Sequence, residues 1–206
     1  MQSYPVLCFN TASLREFVEF WSKVYGSPSV EKLYTDHISK KRFDADDILA
    51  LYQWKNGTPL SERKRDSVET NIVAKLHIIN ELKLDYSEEA FQKNFKDMTA
   101  VWKIFLKNII SPSQFAIFDM HVFRAFWFLT TGEIREIDDV LTDAILNTHK
   151  ERAKEDLYNI KYLPFIRSLM HDDIPLKKND ECLMMFGKFL RSEFSRALLP
   201  NSKSDK

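Results

Sequence analysis

Glycine is scarce in this chain: four residues in 206, at Gly26, Gly57, Gly132 and Gly187. That scarcity excludes glycine-rich loops of the kind that cradle nucleotide phosphates, which need backbone free of Cβ atoms close to the ligand. Cysteine is scarcer still. Cys8 and Cys182 stand far apart, so they form neither a disulfide framework nor a four-cysteine metal knuckle, and a reducing cytoplasm suits them. No apolar run reaches membrane-spanning length, and the first residues lack the charged-then-apolar pattern of a secretory signal, so a cytoplasmic protein is the expectation. An excess of one charge is also missing. Thirty basic residues cancel thirty acidic ones, so net charge advertises no grip on nucleic acid, and any such grip must come from a local patch.

What is there is ordinary globular material: 44% hydrophobic and 29% charged. Sixteen phenylalanines point to a thickly packed aromatic core. Apolar residues recur at helical spacing along nearly the whole chain, with no convincing hairpin of strands and no internal repeat, so the fold class is all-α with eight to ten helices. Thr11 is placed to cap a first helix through Leu14, Phe17, Trp21 and Val24, broken by Ser27-Pro28-Ser29. Residues 30–43 are less regular and end in Lys40-Lys41-Arg42, read as a solvated turn. Asp44 opens a helix closed by Asn56-Gly57. A third helix runs from Ser61 to about Leu82. Its first turn holds Arg63, Lys64 and Arg65, either facing a partner anion or marking an exposed loop. Apolar positions from Phe91 to Ile109 then fit one bent helix or two short ones broken near Lys96-Asp97-Met98-Thr99. Later helices are predicted over 138–148, over 151–170 with a kink or break at Pro164, and from a cap at Asn179 or Asp180 through Phe194. Residues 200–206 read as a polar tail.

The central stretch is Phe115 to Phe126. Four mostly apolar residues run into Asp119, and a helix-competent segment from Met120 to Thr131 stops at Gly132. Asp119 therefore occupies an N-cap position. There its carboxylate accepts hydrogen bonds from the first turn and the helix dipole favours its ionised form.

Within that stretch, Ala116-Ile117-Phe118-Asp119-Met120-His121-Val122-Phe123-Arg124 resembles the Asp-x-His-(apolar)-x-Arg segment of the helix-hairpin-helix DNA glycosylase superfamily, in its 8-oxoguanine glycosylase branch. Ile104 to Ile110 is similar to the second hairpin helix, and Ile48 to Trp54 to an early helix that ends in a DNA-wedging polar residue. The likeness spans most of residues 44–130. It implies a two-lobed helical unit over residues 1–199, with Asp119 as the catalytic carboxylate. It also implies a DNA partner carrying a damaged or modified base, no cofactor or metal, and a monomer. Two departures matter. The hairpin turn around Phe95 to Ala100 has no glycine, so the hairpin is degenerate. Bifunctional members place a lysine nucleophile near the start of the second hairpin helix, where this chain has Ala100 or Val101, so base excision without strand cleavage is expected.

The expected roles follow. A carboxylate beside the sugar stabilises the positive charge that builds when an N-glycosidic bond breaks. Asp119 is assigned that role, ahead of a plain N-cap. Lys96, Thr99, Lys103 and Lys107 are candidate phosphate contacts, with a solvated helix face as the alternative for the last two. His121 is read as a structural histidine ahead of a proton donor, and is also a candidate contact to DNA. Arg124 either pairs with an acidic residue or reaches a phosphate. Gln53, Trp54 and Asn56 are candidates for the base pocket or for the wedge that replaces a flipped base, with Trp54 folded back into the core as the other reading. Two further classes compete: a non-catalytic DNA-binding or lesion-sensing protein on the same scaffold, and a helical protein-interaction module. A divergent member also suits excision of modified bases from phage DNA.

Overall fold

A computed structural model describes residues 11, 13–26, 28–144, 150–169 and 174–192. Every regular element among them is helical, so the protein is all-α. The helices are α1 (Leu14–Lys23), α2 (Pro28–Ile38), α3 (Ala45–Asn56), α4 (Glu62–Asn71), α5 (Leu76–Leu84), α6 (Glu88–Phe95), α7 (Ala100–Ile110), α8 (Met120–Thr131), α9 (Ile137–Ala144), α10 (Lys150–Asp156), α11 (Leu163–Ser168) and α12 (Leu176–Arg191). Their number exceeds the eight to ten expected from the sequence because predicted helices divide and because residues 30–43, read as less regular, hold most of α2.

The local causes are legible. Ser13, not Thr11, caps α1 by accepting from the Glu16 N–H, while Thr11 donates to the Glu16 carboxylate. The predicted break falls at the start of α2, with Ser27 outside the described residues, because Pro28 at a first helical position loses no hydrogen bond the helix needs. The predicted helix from Ser61 to Leu82 divides at Ile72 into α4, a short 3-10 turn (Val73–Lys75) and α5. Beyond α10 the helix widens into a π segment (Leu157–Tyr162) before Pro164. Pro164 lacks an N–H and its ring crowds the carbonyl four residues back, which accounts for a wider turn there. Asn179 and Asp180 do not cap the last helix. It begins at Leu176, which places both side chains inside α12, buried. Residues 145–149 and 170, the ends of two predicted helices, lie outside the described residues, as do 193–206 with the polar tail.

Two hydrophobic clusters make the core. One gathers α1, α8 and α10 to α12 around Trp21, Phe118, Phe123, Tyr158, Tyr162 and Phe186. The other gathers α2 to α7 around Tyr34, Ile48, Tyr52, Phe91, Phe95 and Phe105. Helix α7 serves both: Ile104 belongs to the first cluster, and Phe105, Leu106, Ile109 and Ile110 to the second. Each fully buried Leu, Ile or Phe contributes ~1.5–3 kcal/mol relative to exposure, so a helix buried nearly all round is the most strongly held element.

Helix α12 packs along α8 and α1. The approach to α8 is close because residue 187 is glycine. A Cβ there would lie 1.9 Å from the His121 carbonyl oxygen. The same contact lets the Arg124 guanidinium donate to the Gly187 carbonyl at 2.8 Å.

Candidate active site

Residues 115–119 run as an extended strap between α7 and α8, with no backbone ladder of their own. Side chains from four other elements hold their peptide groups instead. Asn108 Nδ2 donates to Phe115 O at 2.7 Å, and Tyr158 Oη to Ala116 O at 3.0 Å. Asp180 Oδ2 accepts from Ile117 N at 3.0 Å, and Tyr162 Oη donates to Ile117 O at 3.2 Å. Lys55 Nζ donates to Phe118 O at 3.3 Å. Tyr34 Oη donates to Asn108 Oδ1 at 3.2 Å and fixes the orientation of that amide. Buried backbone polar groups must be paired, and here the pairing also fixes where the strap ends.

It ends at Asp119, which is the N-cap of α8. Asp119 Oδ1 accepts from His121 N at 2.9 Å and Val122 N at 3.0 Å. Oδ2 faces Lys55 Nζ at 3.3 Å, an ion pair in which the two side chains are 10% and 21% exposed. Burial pushes the Asp119 carboxyl up. The Lys55 ammonium, the N-cap bond from Val122 and the nearby His121 outweigh it and hold the carboxyl below the usual carboxylate range. Lys55 sits in the last turn of α3, a helix anchored at its start by a reciprocal Asp44–Asp47 capping box and stopped by Gly57 with φ of 74°.

Both residues line a cavity of about 860 Å³ between the two clusters. That volume falls within the ordinary range for small-molecule sites. Its walls include Tyr25, Tyr52, Trp54, Trp102 and Phe118, and its polar lining includes Glu31, His121, Lys154, Lys177, Asp180, Glu181 and Lys188. The charge is mixed rather than uniformly basic. One wall is a closed arrangement. Lys177 Nζ lies 4.8 Å, 4.9 Å and 5.3 Å from the rings of Tyr25, Tyr34 and Trp54, and pairs with Glu31 at 2.9 Å and Glu181 at 3.1 Å. Tyr25 Oη and Trp54 Nε1 both donate to Glu31.

Several residues singled out from the sequence sit elsewhere. Lys103 and Lys107 do not present a solvated face to phosphate. Lys103 is buried and pairs with Glu155 at 2.6 Å; Lys107 is buried and pairs with Glu88 at 2.7 Å, with its ammonium against the Phe91 and Phe115 rings. Burial of α7 on both sides leaves these ammonium groups no path to solvent except through a carboxylate partner. Arg124 is likewise buried. It donates to Glu136 from Nε at 2.8 Å and from its NH2 nitrogen, so the ion-pair alternative is the one found and the phosphate contact is not. His121 lines the cavity, and its Nδ1 accepts from Arg124 at 3.1 Å, which leaves Nε2 to carry the proton of the neutral ring. Burial, reinforced by Arg124, Lys188 and Arg191 against the pull of Asp119, lowers its pKa and keeps it neutral at pH 7.

Trp54 and Asn56 line the cavity, and Gln53 lies outside its lining. Trp54 is no free wedge, because Tyr34 packs at 4.4 Å and Phe105 at 5.9 Å between ring centres. Asn56 Nδ2 closes the loop after α3 by donating to Thr58 O at 2.9 Å. Lys96 and Thr99 are exposed in the turn between α6 and α7. The N-terminus of α7 is met by a carboxylate: Ala100 N donates to Glu151 Oε2 at 2.5 Å.

Lys55 and Lys177 were not singled out from the sequence, and Asp180 was read only as a helix cap. Lys55 stands between residues that were, but its pairing with Asp119 joins positions 64 apart and has no local signature. No protein-family model matches this chain, and no curated protein or solved structure is significantly similar to it, so the case for this site rests on its own geometry.

Proposed function

We propose that this protein is a DNA glycosylase that hydrolyses the N-glycosidic bond of a damaged or modified base and leaves an abasic site. The observation that carries the reading is the Asp119 carboxylate, fixed by two backbone N–H groups and by Lys55 on the wall of an aromatic-lined cavity large enough to admit a base. As the C1′–N bond breaks, its electron pair leaves with the base and positive charge develops on the sugar. A fixed carboxylate beside C1′ stabilises that charge without reorganising. Water then adds to C1′ and gives up a proton to Asp119, which releases it to solvent, and the departing base takes one proton from solvent, so one water supplies the hydroxyl on the sugar and the hydrogen on the base. The base must leave the stack to enter the cavity. Lys96, Thr99 and Lys188 are exposed donors for gripping the backbone, whereas Lys103, Lys107 and Arg124 are held in internal pairs. The helical scaffold with a cavity between two clusters accords with the two-lobed glycosylase plan.

The test is an excision assay with wild type and Asp119→Asn on duplex and single-stranded DNA. The panel carries oxidised, alkylated, deaminated and glucosylated bases, the last standing for modified phage DNA. Alkali-revealed breaks from wild type and not from the variant support the reading. DNA binding with no excision of any base moves it to a non-catalytic lesion sensor. A second reading has its own observation: an amine, Lys55, 3.3 Å from the candidate carboxylate. If Lys55 attacks C1′ directly, borohydride traps a protein–DNA adduct and strands break without alkali. The hydrolytic reading forms neither.

A further inference from the structure

Asp180 is a buried carboxyl on the cavity wall that the proposed chemistry leaves unused. It projects from α12, is 4% exposed, and meets the strap one residue before Phe118. Its hydrogen bonds can be counted proton by proton. Oδ2 accepts from the Ile117 N–H at 3.0 Å. Oδ1 lies 3.3 Å from Tyr162 Oη, and the same phenol lies 3.2 Å from the Ile117 carbonyl oxygen. Tyr162 has one proton for two acceptors. An ionised Asp180 draws that proton toward itself and leaves the Ile117 carbonyl without its donor. A neutral Asp180 supplies the missing proton: the carboxyl O–H donates to Tyr162 Oη, the phenol donates to Ile117 O, and the Ile117 N–H donates back to the carboxyl. The ring closes with every donor used once.

We propose that Asp180 is a positioning residue that acts in its neutral form, closing a cyclic hydrogen-bond relay with Tyr162 around the Ile117 peptide and so fixing the aim of Asp119 two residues on. Its surroundings favour the neutral form. Tyr34, Tyr158 and Tyr162 face it from α2 and the π segment, Lys55 from α3, Asp119 from the end of the strap, and Lys177 and Glu181 from its own helix. Burial outweighs the two lysines and the hydrogen bonds from Ile117 and Tyr162, and pushes the Asp180 carboxyl up to about 8. The sign follows. The folded state holds a proton that the unfolded chain releases near pH 4, so stability falls as pH rises from about 4 to about 8 and levels off above.

The role of Asp180 in excision rests on the glycosylase reading, so the test has one arm that does not. Asp180→Asn keeps the neutral shape, with an N–H to donate to Tyr162 and an oxygen to accept from Ile117. Asp180→Ala removes both, and Tyr162→Phe opens the relay without touching the carboxyl, in case the alanine variant fails to fold. In the first arm, the carbonyl carbon-13 shift of Ile117, which reports whether that oxygen is hydrogen-bonded, is measured by NMR from pH 5 to 9, with no DNA present. The hydrogen-bonded shift should persist at every pH in Asp180→Asn, be absent at every pH in Tyr162→Phe, and be lost in wild type as pH passes 8, while Asp180→Ala should lower the protection of the Ile117 amide, whose acceptor it removes. In the second arm, on whichever base wild type excises, Asp180→Asn should keep its rate within about twofold and lose any alkaline decline. Tyr162→Phe should lose on the order of 10²-fold, the cost of a small misplacement of a catalytic group. An Ile117 carbonyl shift that moves with pH equally in Asp180→Asn, or that ignores pH in wild type, overturns the relay whatever the excision assay shows. Excision abolished in Asp180→Asn with the Ile117 carbonyl shift unchanged overturns the positioning role and makes Asp180 a proton donor. Absence of excision by wild type fails the glycosylase reading and leaves the first arm to decide the relay.

Discussion

Lys55 and Asp119 stand 64 positions apart in the chain and meet at 3.3 Å on the cavity wall. One comes from the last turn of α3, the other from the N-cap of α8, so the pair ties the two hydrophobic clusters together where the chemistry is proposed. The ammonium fixes the direction of the carboxylate and favours its charge.

Removing that ammonium has a signed consequence. Because the folded Asp119 carboxyl is held below its ordinary value, it contributes stability that is present above about pH 4 and is lost as pH falls through the folded pKa. In Lys55→Met the depression shrinks, so the acid edge of the excision profile moves to higher pH. The rate at neutral pH falls on the order of 10²-fold as the carboxylate loses its aim. A pH–rate profile of the two proteins checks both, and identical acid edges would refute the coupling.

Gly187→Ala should destabilise the protein by about 1–3 kcal/mol, in the range of overpacking a tight interface. The new Cβ would meet the His121 backbone rather than a side chain that can swing away. Urea unfolding gives the magnitude. Any residual excision should fall as well, because His121 lies two residues from Asp119.

Lys103 and Glu155 offer a contrast between structure and DNA contact. Lys103→Met leaves a part-buried carboxylate unpaired and should cost about 2–3 kcal/mol, less than the ~3–5 kcal/mol of a fully buried pair because Glu155 is 18% exposed. The double variant Lys103→Met, Glu155→Leu should recover most of it. Neither should change the salt dependence of DNA binding, and a reduced slope in Lys103→Met would return the residue to the phosphate interface.

Lys96→Ala and Lys188→Ala should behave the opposite way. Each should leave unfolding within about 0.5 kcal/mol and lower the slope of log affinity against log salt by about one. Binding titrations at several salt concentrations make the comparison.

Much of the local structure was legible because it is local. The Asp119 cap, the Gly132 stop, and the span of α3 from Asp44 to Gly57 follow from capping chemistry and apolar spacing within a few residues. The hairpin lysines were misjudged for a definite reason. Lys103 and Lys107 at one-turn spacing look like a solvated stripe, and nothing nearby says that Glu155 and Glu88 will seal them in. Asp180 resembled a helix cap because aspartate prefers that position, whereas α12 begins four residues earlier and turns the carboxyl toward the strap.

By itself, then, the sequence determined an all-α chain, the element boundaries set by caps and glycines, and a carboxylate at the start of α8. Those depend on interactions spanning one or two helical turns, which composition and periodicity encode. Tertiary structure decided which charges face the cavity and which face each other. It brought Lys55 and Asp180 to Asp119 and its strap, and withdrew Lys103, Lys107 and Arg124 into internal pairs. The reason is physical: burying a charge is tolerated only beside a partner, and the partners come from helices whose relative placement is fixed by the packing of two aromatic cores.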